Sequence, residues 1–182
     1  MNINVYTEST PNPATMKFIV NKLLINGSVD YATRESAEKS PFAKELFKFS
    51  FVNGVFFASN FVTVTKTEGS DWNDLEPILK EFVKGAVESE LLVQIKEQEE
   101  VAFEGTDAEI KIQQILQDYV RPAVEQDGGA ITYKSFNEGV VTVELRGSCS
   151  GCPSSTITLK SGIENLLKRM VPEVTEVVSE AL

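Results

Sequence analysis

The sequence predicts an α+β protein: two small two-layer α/β-sandwich-like domains joined by an acidic linker. Three observations carry that expectation. Short β-patterned runs alternate with amphipathic helical runs in each half of the chain. A charged stretch, Val93-Gln94-Ile95-Lys96-Glu97-Gln98-Glu99-Glu100, lies between the halves and closes on Gly105-Thr106. The 182 residues, 42% of them hydrophobic, suit two modest cores. The boundaries follow as residues 1–90, a linker of residues 91–106 and residues 107–182.

The first block opens with a strand near Asn4 to Thr7. It runs into Ser9-Thr10-Pro11-Asn12-Pro13, where two prolines forbid regular structure. Met16 to Val20 reads as a second strand. Ser40-Pro41 is a helix entry, a polar cap followed by proline, with Phe42, Leu46 and Phe47 facing inward. Val55-Phe56-Phe57 and Phe61 to Thr65 form a hairpin around Ala58-Ser59-Asn60. Asp71 caps a helix whose apolar stripe is Trp72, Leu75, Leu79, Phe82, Val83 and Ala86. The aromatic residues Phe49, Phe51, Phe56, Phe57 and Phe61 are read mostly as core, with a docking patch for partner proteins as the alternative for some of them. The connector, residues 91–106, is expected to be partly helical and well solvated.

In the second block Asp107 is the expected cap of a helix presenting Ile112, Ile115, Leu116, Tyr119 and Val120 on one face. That helix ends between Arg121-Pro122 and Gln126, and Asp127-Gly128-Gly129 makes the turn. Ile131 to Phe136 and Val140 to Arg146 are strands joined by Asn137-Glu138-Gly139. Val141, Val143 and Leu145 belong to a buried face, and Thr142, Glu144 and Arg146 to a polar one. After a short loop, a helix from about Ser155 carries Leu159, Ile163, Leu166, Leu167 and Met170. Pro172 stops it, and Val174 to Val178 return as a third strand.

The chemistry concentrates in that short loop. The chain holds two cysteines and no histidine. Both cysteines stand in Gly147-Ser148-Cys149-Ser150-Gly151-Cys152-Pro153-Ser154-Ser155. Missing histidine removes Ser-His-Asp and Cys-His catalysis and His-ligated zinc. A net charge of −10 argues against nucleic acid and against an anionic membrane as partner. Met1 opens onto Asn2 to Thr7 without the basic flank and apolar run of a signal peptide, so a cytoplasmic location is expected. Reduced thiols in a CxxC there point to metal binding or redox work.

Cys149 and Cys152 lie where a strand gives way to a helix, whose free N–H groups and dipole are expected to favour thiolate. Gly147 and Gly151 let the backbone wrap closely. Ser154 and Ser155 are read as helix caps. Three readings of the pair compete: idle thiols, a thioredoxin-like redox couple, and a metal centre. The redox fold needs a hairpin and a further helix after the CxxC, and too little chain follows Cys152. A metal centre needs about four protein ligands, and two thiolates supply half. The rest must then come from outside, most simply from the same loop of a second chain. Both an iron–sulfur cluster and a four-thiolate zinc ion satisfy that count.

Residues 121–173 resemble the C-terminal domain of the NifU family. The likeness is carried by Arg121-Pro122, Asp127-Gly128-Gly129, the whole cysteine loop, Thr158 to Glu164 and Pro172-Glu173-Val174. Residues 8–65 resemble the Nfu N-terminal domain through Thr10-Pro11-Asn12-Pro13-Ala14-Thr15-Met16-Lys17-Phe18 and Ser40-Pro41-Phe42-Ala43-Lys44-Glu45-Leu46-Phe47. The resemblance implies a non-enzymatic carrier. It would hold a [4Fe-4S] cluster between two subunits through Cys149 and Cys152 and pass it to apo iron–sulfur proteins, having received it from upstream donors. The sequence departs from the family at Ala130, where an acidic or amide side chain often follows the Asp-Gly-Gly turn. That leaves Asp127-Gly128-Gly129 as a turn element.

Overall fold

A computed structural model describes residues 2–91, 93, 105–149 and 153–181. The expected connector therefore falls largely outside the described residues. The chain divides into two compact units, residues 1–98 and 99–182, and the α+β expectation holds in each.

In the first unit, β1 (Val5–Ser9), β2 (Thr15–Val20), β3 (Ser28–Tyr31), β4 (Val52–Ala58) and β5 (Phe61–Lys66) form one antiparallel sheet in the order β1-β2-β5-β4-β3. Strand β3 has no counterpart in the sequence reading. Helix α1 (Pro41–Leu46) starts at the expected cap, with the Ala43 N–H donating to Ser40 Oγ at 3.2 Å. Helix α2 (Trp72–Glu88) starts at Asp71, whose Oδ1 accepts from the Asn73 N–H at 2.9 Å. Ala58 and Phe61 pair directly, so the β4–β5 turn is Ser59-Asn60, and Ser59 takes the left-handed φ of 46°. The proline-rich segment also anchors a helix, since Trp72 Nε1 donates to the Pro13 carbonyl at 3.0 Å and ties α2 to the β1–β2 turn.

One face of this sheet presents Phe18, Val20, Val55, Phe57, Val62 and Val64 to Phe42, Leu46, Leu79 and Val83. The aromatic set, expected to be mostly core, divides. Phe57 belongs to this core, while Phe49 and Phe51 pack against it half-buried. Phe56 and Phe61 are buried outside that cluster, their rings 6.2 Å apart, and the Lys17 ammonium lies 4.4 Å from the Phe61 ring centre. Strand alternation places neighbours such as Phe56 and Phe57 on opposite faces.

The second unit opens with α3 (Asp107–Ile115). Its cap is Thr106, not Asp107. The Glu109 N–H donates to Thr106 Oγ1 at 3.4 Å, and the Thr106 N–H donates back to Glu109 Oε2 at 2.8 Å, a capping box. A π-helical turn over Leu116–Val120 and α4 (Arg121–Gln126) follow. Pro122 has no N–H to give the Asp118 carbonyl and its ring crowds that carbonyl, which an inserted π turn relieves. The inserted residue rotates the helical face. Ile112, Ile115, Leu116 and Val120 stay buried, but Tyr119, expected on that face, is 61% exposed.

Strands β6 (Gly129–Asn137) and β7 (Val140–Gly147) pair antiparallel around Glu138-Gly139, both at positive φ. β8 (Glu176–Ala181) joins β7 in parallel, after α5 (Pro153–Met170) has crossed over. β7 is thus the central strand, with Val141, Val143 and Leu145 packed against Ile163, Leu167 and α3. Glu144, expected on a solvated face, is only 2% exposed. Its carboxylate lies 2.5 Å from Lys134 Nζ and 2.9 Å from Arg146 Nε, and the two basic side chains cover it.

Candidate metal centre

Cys149 is placed by the end of β7. Gly147 pairs with Gly129 at the start of β6 and leaves the strand at a left-handed φ of 67°, a conformation that favours glycine. The chain then turns through Ser148 into Cys149. Gly129 is required by contact: a Cβ there would stand 2.7 Å from the Arg146 carbonyl oxygen and 2.7 Å from Cys149 Sγ. The Asp127-Gly128-Gly129 turn is therefore the wall on which the Cys149 sulfur rests. Ser148 fastens the two pieces together. Its hydroxyl donates to the Asp127 carbonyl, and its N–H donates to the Gly128 carbonyl at 3.3 Å.

The expectation of a stabilised thiolate in an open loop does not hold for Cys149. The residue is 5% exposed. Burial pushes its thiol up to about 11; the Ser148 hydroxyl, 3.9 Å from the sulfur, pulls the other way, and the Asp127 carboxylate adds to the rise. The cause is packing: the sulfur faces Gly129 and the apolar interior of the unit. Cys152, with Ser150 and Gly151, lies outside the described residues. Pro153 is the first residue of α5, two residues before the expected start. Among the described residues no three of Cys, Asp and Glu gather as a metal site.

Two supports of the loop go beyond the sequence reading, in which Ser148 has no assigned role and Gly129 is only part of a turn. Counting back from Glu138-Gly139 as a regular hairpin sets Gly129 opposite Ser148, and the register shift between Tyr133 and Ser135 is what pairs it with Gly147. Ala130 is buried opposite Arg146. Elsewhere in the unit, Tyr133 Oη donates to Glu109 Oε1 at 2.9 Å, joining the α3 cap to β6. Burial and then the Glu109 hydrogen bond push the Tyr133 phenol up to about 12. Glu144 feels burial upward, but Arg146 and Lys134 together hold it below the ordinary carboxylate value.

Comparison with known proteins bears on this arrangement. A family model described as "Scaffold protein Nfu/NifU N terminal" matches residues 5–90, and one described as "NifU-like domain" matches residues 112–178. A human protein named "NFU1 iron-sulfur cluster scaffold homolog, mitochondrial" is 40% identical over 175 residues, covering 93% of this chain and 69% of that protein. The chain belongs to the Nfu/NifU family. An Arabidopsis thaliana relative of the same family, "NifU-like protein 5, mitochondrial", is 39% identical over 185 residues, 97% of this chain and 67% of that protein. Against the Drosophila erecta relative the chain is 35% identical and spans 63% of its length. A solution structure of a NifU-like protein from Saccharomyces cerevisiae superposes at a TM-score of 0.46 with 20% identity, over 52% of this chain and 87% of that one. Among the described residues no helix of this family member is long and apolar enough to cross a membrane.

Proposed function

We propose that this chain is an iron–sulfur cluster carrier: two copies hold one [4Fe-4S] cluster between them through Cys149 and Cys152 of each, and deliver it to apo-proteins. The observation that carries the reading is the ligand count. One loop at the β7–α5 junction holds both cysteines, no histidine exists to complete a site, and a four-thiolate cluster needs twice what one chain offers. The names of the human and Drosophila relatives, which include "iron-sulfur cluster scaffold", support the same cargo.

Delivery is ligand exchange without turnover of a substrate. A client thiolate forms an iron–sulfur bond as the bond to Cys149 or Cys152 breaks, and the displaced cysteine takes up the proton that the client thiol gave. Residues 107–182 hold and release the cluster. Residues 1–90, which contain no cysteine or histidine, dock clients or donors, and residues 91–106 tether the two. A tether of this kind raises the local concentration of cluster at a bound client. The cytoplasmic expectation belongs to this proposal too; its chemical content is a compartment that keeps thiols reduced, and the human and Arabidopsis relatives carry "mitochondrial" in their names.

A thiol–disulfide oxidoreductase is the weaker reading. It uses the same two cysteines without a bound metal, so iron and sulfide analysis separates it from the carrier. A zinc-bridged dimer uses the same ligands and is separated by analysis. Iron and sulfide assays on anaerobically reconstituted protein, with sedimentation, test the proposal. One four-iron cluster per dimer is expected, with Cys149→Ser and Cys152→Ser each unable to hold it. A monomer carrying a full cluster without added thiols would refute the shared site, and zinc in place of iron and sulfide would refute the cargo.

A further inference from the structure

Resting on the shared-cluster reading, we infer that the solvent face of α5 beside the cysteine loop, bordered by Ile157 and Gly162, packs on the same face of a second copy. Such a contact would flank the bridged cluster and supply the protein part of the dimer interface. The second copy is the occupant because the site is incomplete without it: the loop must meet another loop, and whatever adjoins the loop then meets its own counterpart. A two-fold arrangement of that kind is self-complementary by construction.

The residues adjoining the loop have the character that such a contact needs. Ile157 is 67% exposed, the most exposed of the large hydrophobic side chains among the described residues. It stands in the second turn of α5, about 6 Å along the axis from Pro153, the first helical residue. Ile157, Thr158, Ser161 and Gly162 are all exposed; Ile157 with Ser161 and Thr158 with Gly162 form two neighbouring i,i+4 rows that span an arc of about 140°. Ile163 and Leu167, on the other side, fill the unit's own core.

Gly162 is unexplained by the single chain. It lies well inside an 18-residue helix, where glycine is the least favourable residue after proline. Its φ is not in the left-handed region, and a Cβ placed on it would meet nothing within 4 Å. Neither conformation nor crowding asks for glycine there, whereas close approach of a second helix would. The contact is small, and one isoleucine per chain does not reach the area of a standing interface. The protein surfaces therefore add to the cluster's hold and do not replace it, so that the dimer forms with loading and loosens as the cluster leaves.

The test uses the full chain, reconstituted anaerobically with iron and sulfide, as wild type, Ile157→Glu and Gly162→Leu. Ile78→Glu, an exposed isoleucine of α2, serves as control. Sedimentation gives dimer dissociation, and absorbance gives the rate of cluster loss to a chelator. Melting of the apo forms reports folding. Both α5 variants are expected to weaken the loaded dimer about tenfold or more and to speed cluster loss by a similar factor, the scale set by exposing one isoleucine. Gly162→Leu should leave apo melting unchanged or raised, so its effect cannot come from misfolding. Wild type with one cluster per two chains, and both variants indistinguishable from it, would overturn the α5 contact and leave the carrier reading intact. Wild type that holds no shared cluster would overturn both.

Discussion

Gly129→Ala tests the claim that the turn before β6 seats the Cys149 sulfur. The added methyl would sit 2.7 Å from the Arg146 carbonyl oxygen and from Cys149 Sγ, and 3.2 Å from Cys149 Cβ. Ordinary contact begins at 3.4 Å, so neighbours must give way by about 0.7 Å, the difference between these two distances. The two contacts belong to different segments. The Arg146 carbonyl is backbone of the paired strand and yields little. Cys149 yields more easily, because it lies beyond the last β6–β7 pair, Gly129 with Gly147. Overpacking of this kind costs about 1–3 kcal/mol, and for a unit of this size each kcal/mol lowers melting by roughly 4–8 °C. Trp72 lies in the first unit, so the second is best followed by amide exchange in β7, which should lose protection. Alkylation of the apo protein by iodoacetamide should quicken at Cys149 as the thiol is pushed out of its seat. Unchanged β7 protection together with unchanged alkylation would refute the packing argument.

Three further outcomes are expected. Ser148→Ala removes the hydrogen bond from the buried Ser148 hydroxyl to the carbonyl of the exposed Asp127; it should destabilise the second unit by about 0.5–1.5 kcal/mol, read by denaturant titration of β7 exchange. The Glu109 carboxyl is held below its ordinary value by the Thr106 N–H first, then by Tyr133 and the Thr106 hydroxyl. Its contribution is therefore complete above the unfolded-state value and lost as pH falls through the lower folded value. Glu109→Gln should be less stable near neutrality and show a shallower loss on acidification, and an unchanged acid limb would contradict this. A chain lacking residues 1–90 should take up cluster normally yet deliver it more slowly at low concentration, with the deficit shrinking as concentration rises. Equal transfer rates at every dilution would remove the docking role of the first unit.

Local chemistry made much of the molecule legible from its sequence alone. Ser40-Pro41 and Asp71 start helices where a capping side chain and its neighbours make a helix start favourable. Glu138-Gly139 closes a hairpin at the place its length suggests, with glycine supplying one of the two positive φ angles. Two cysteines, no histidine and their spacing of three limit what any metal site can be, and the long motifs around them disclose the family. The three-dimensional structure decided the rest, where a neighbour's geometry or a partner on another strand overrides the local pattern. Pro122 alters a helical face that periodicity alone would continue, so Tyr119 turns outward. Glu144 is buried because Lys134 and Arg146 converge on it from two strands. Cys149 precedes a helix in sequence, which suggests a thiolate, yet the strand pairing that brings Gly129 against its sulfur buries it, and desolvation outweighs the Ser148 hydrogen bond.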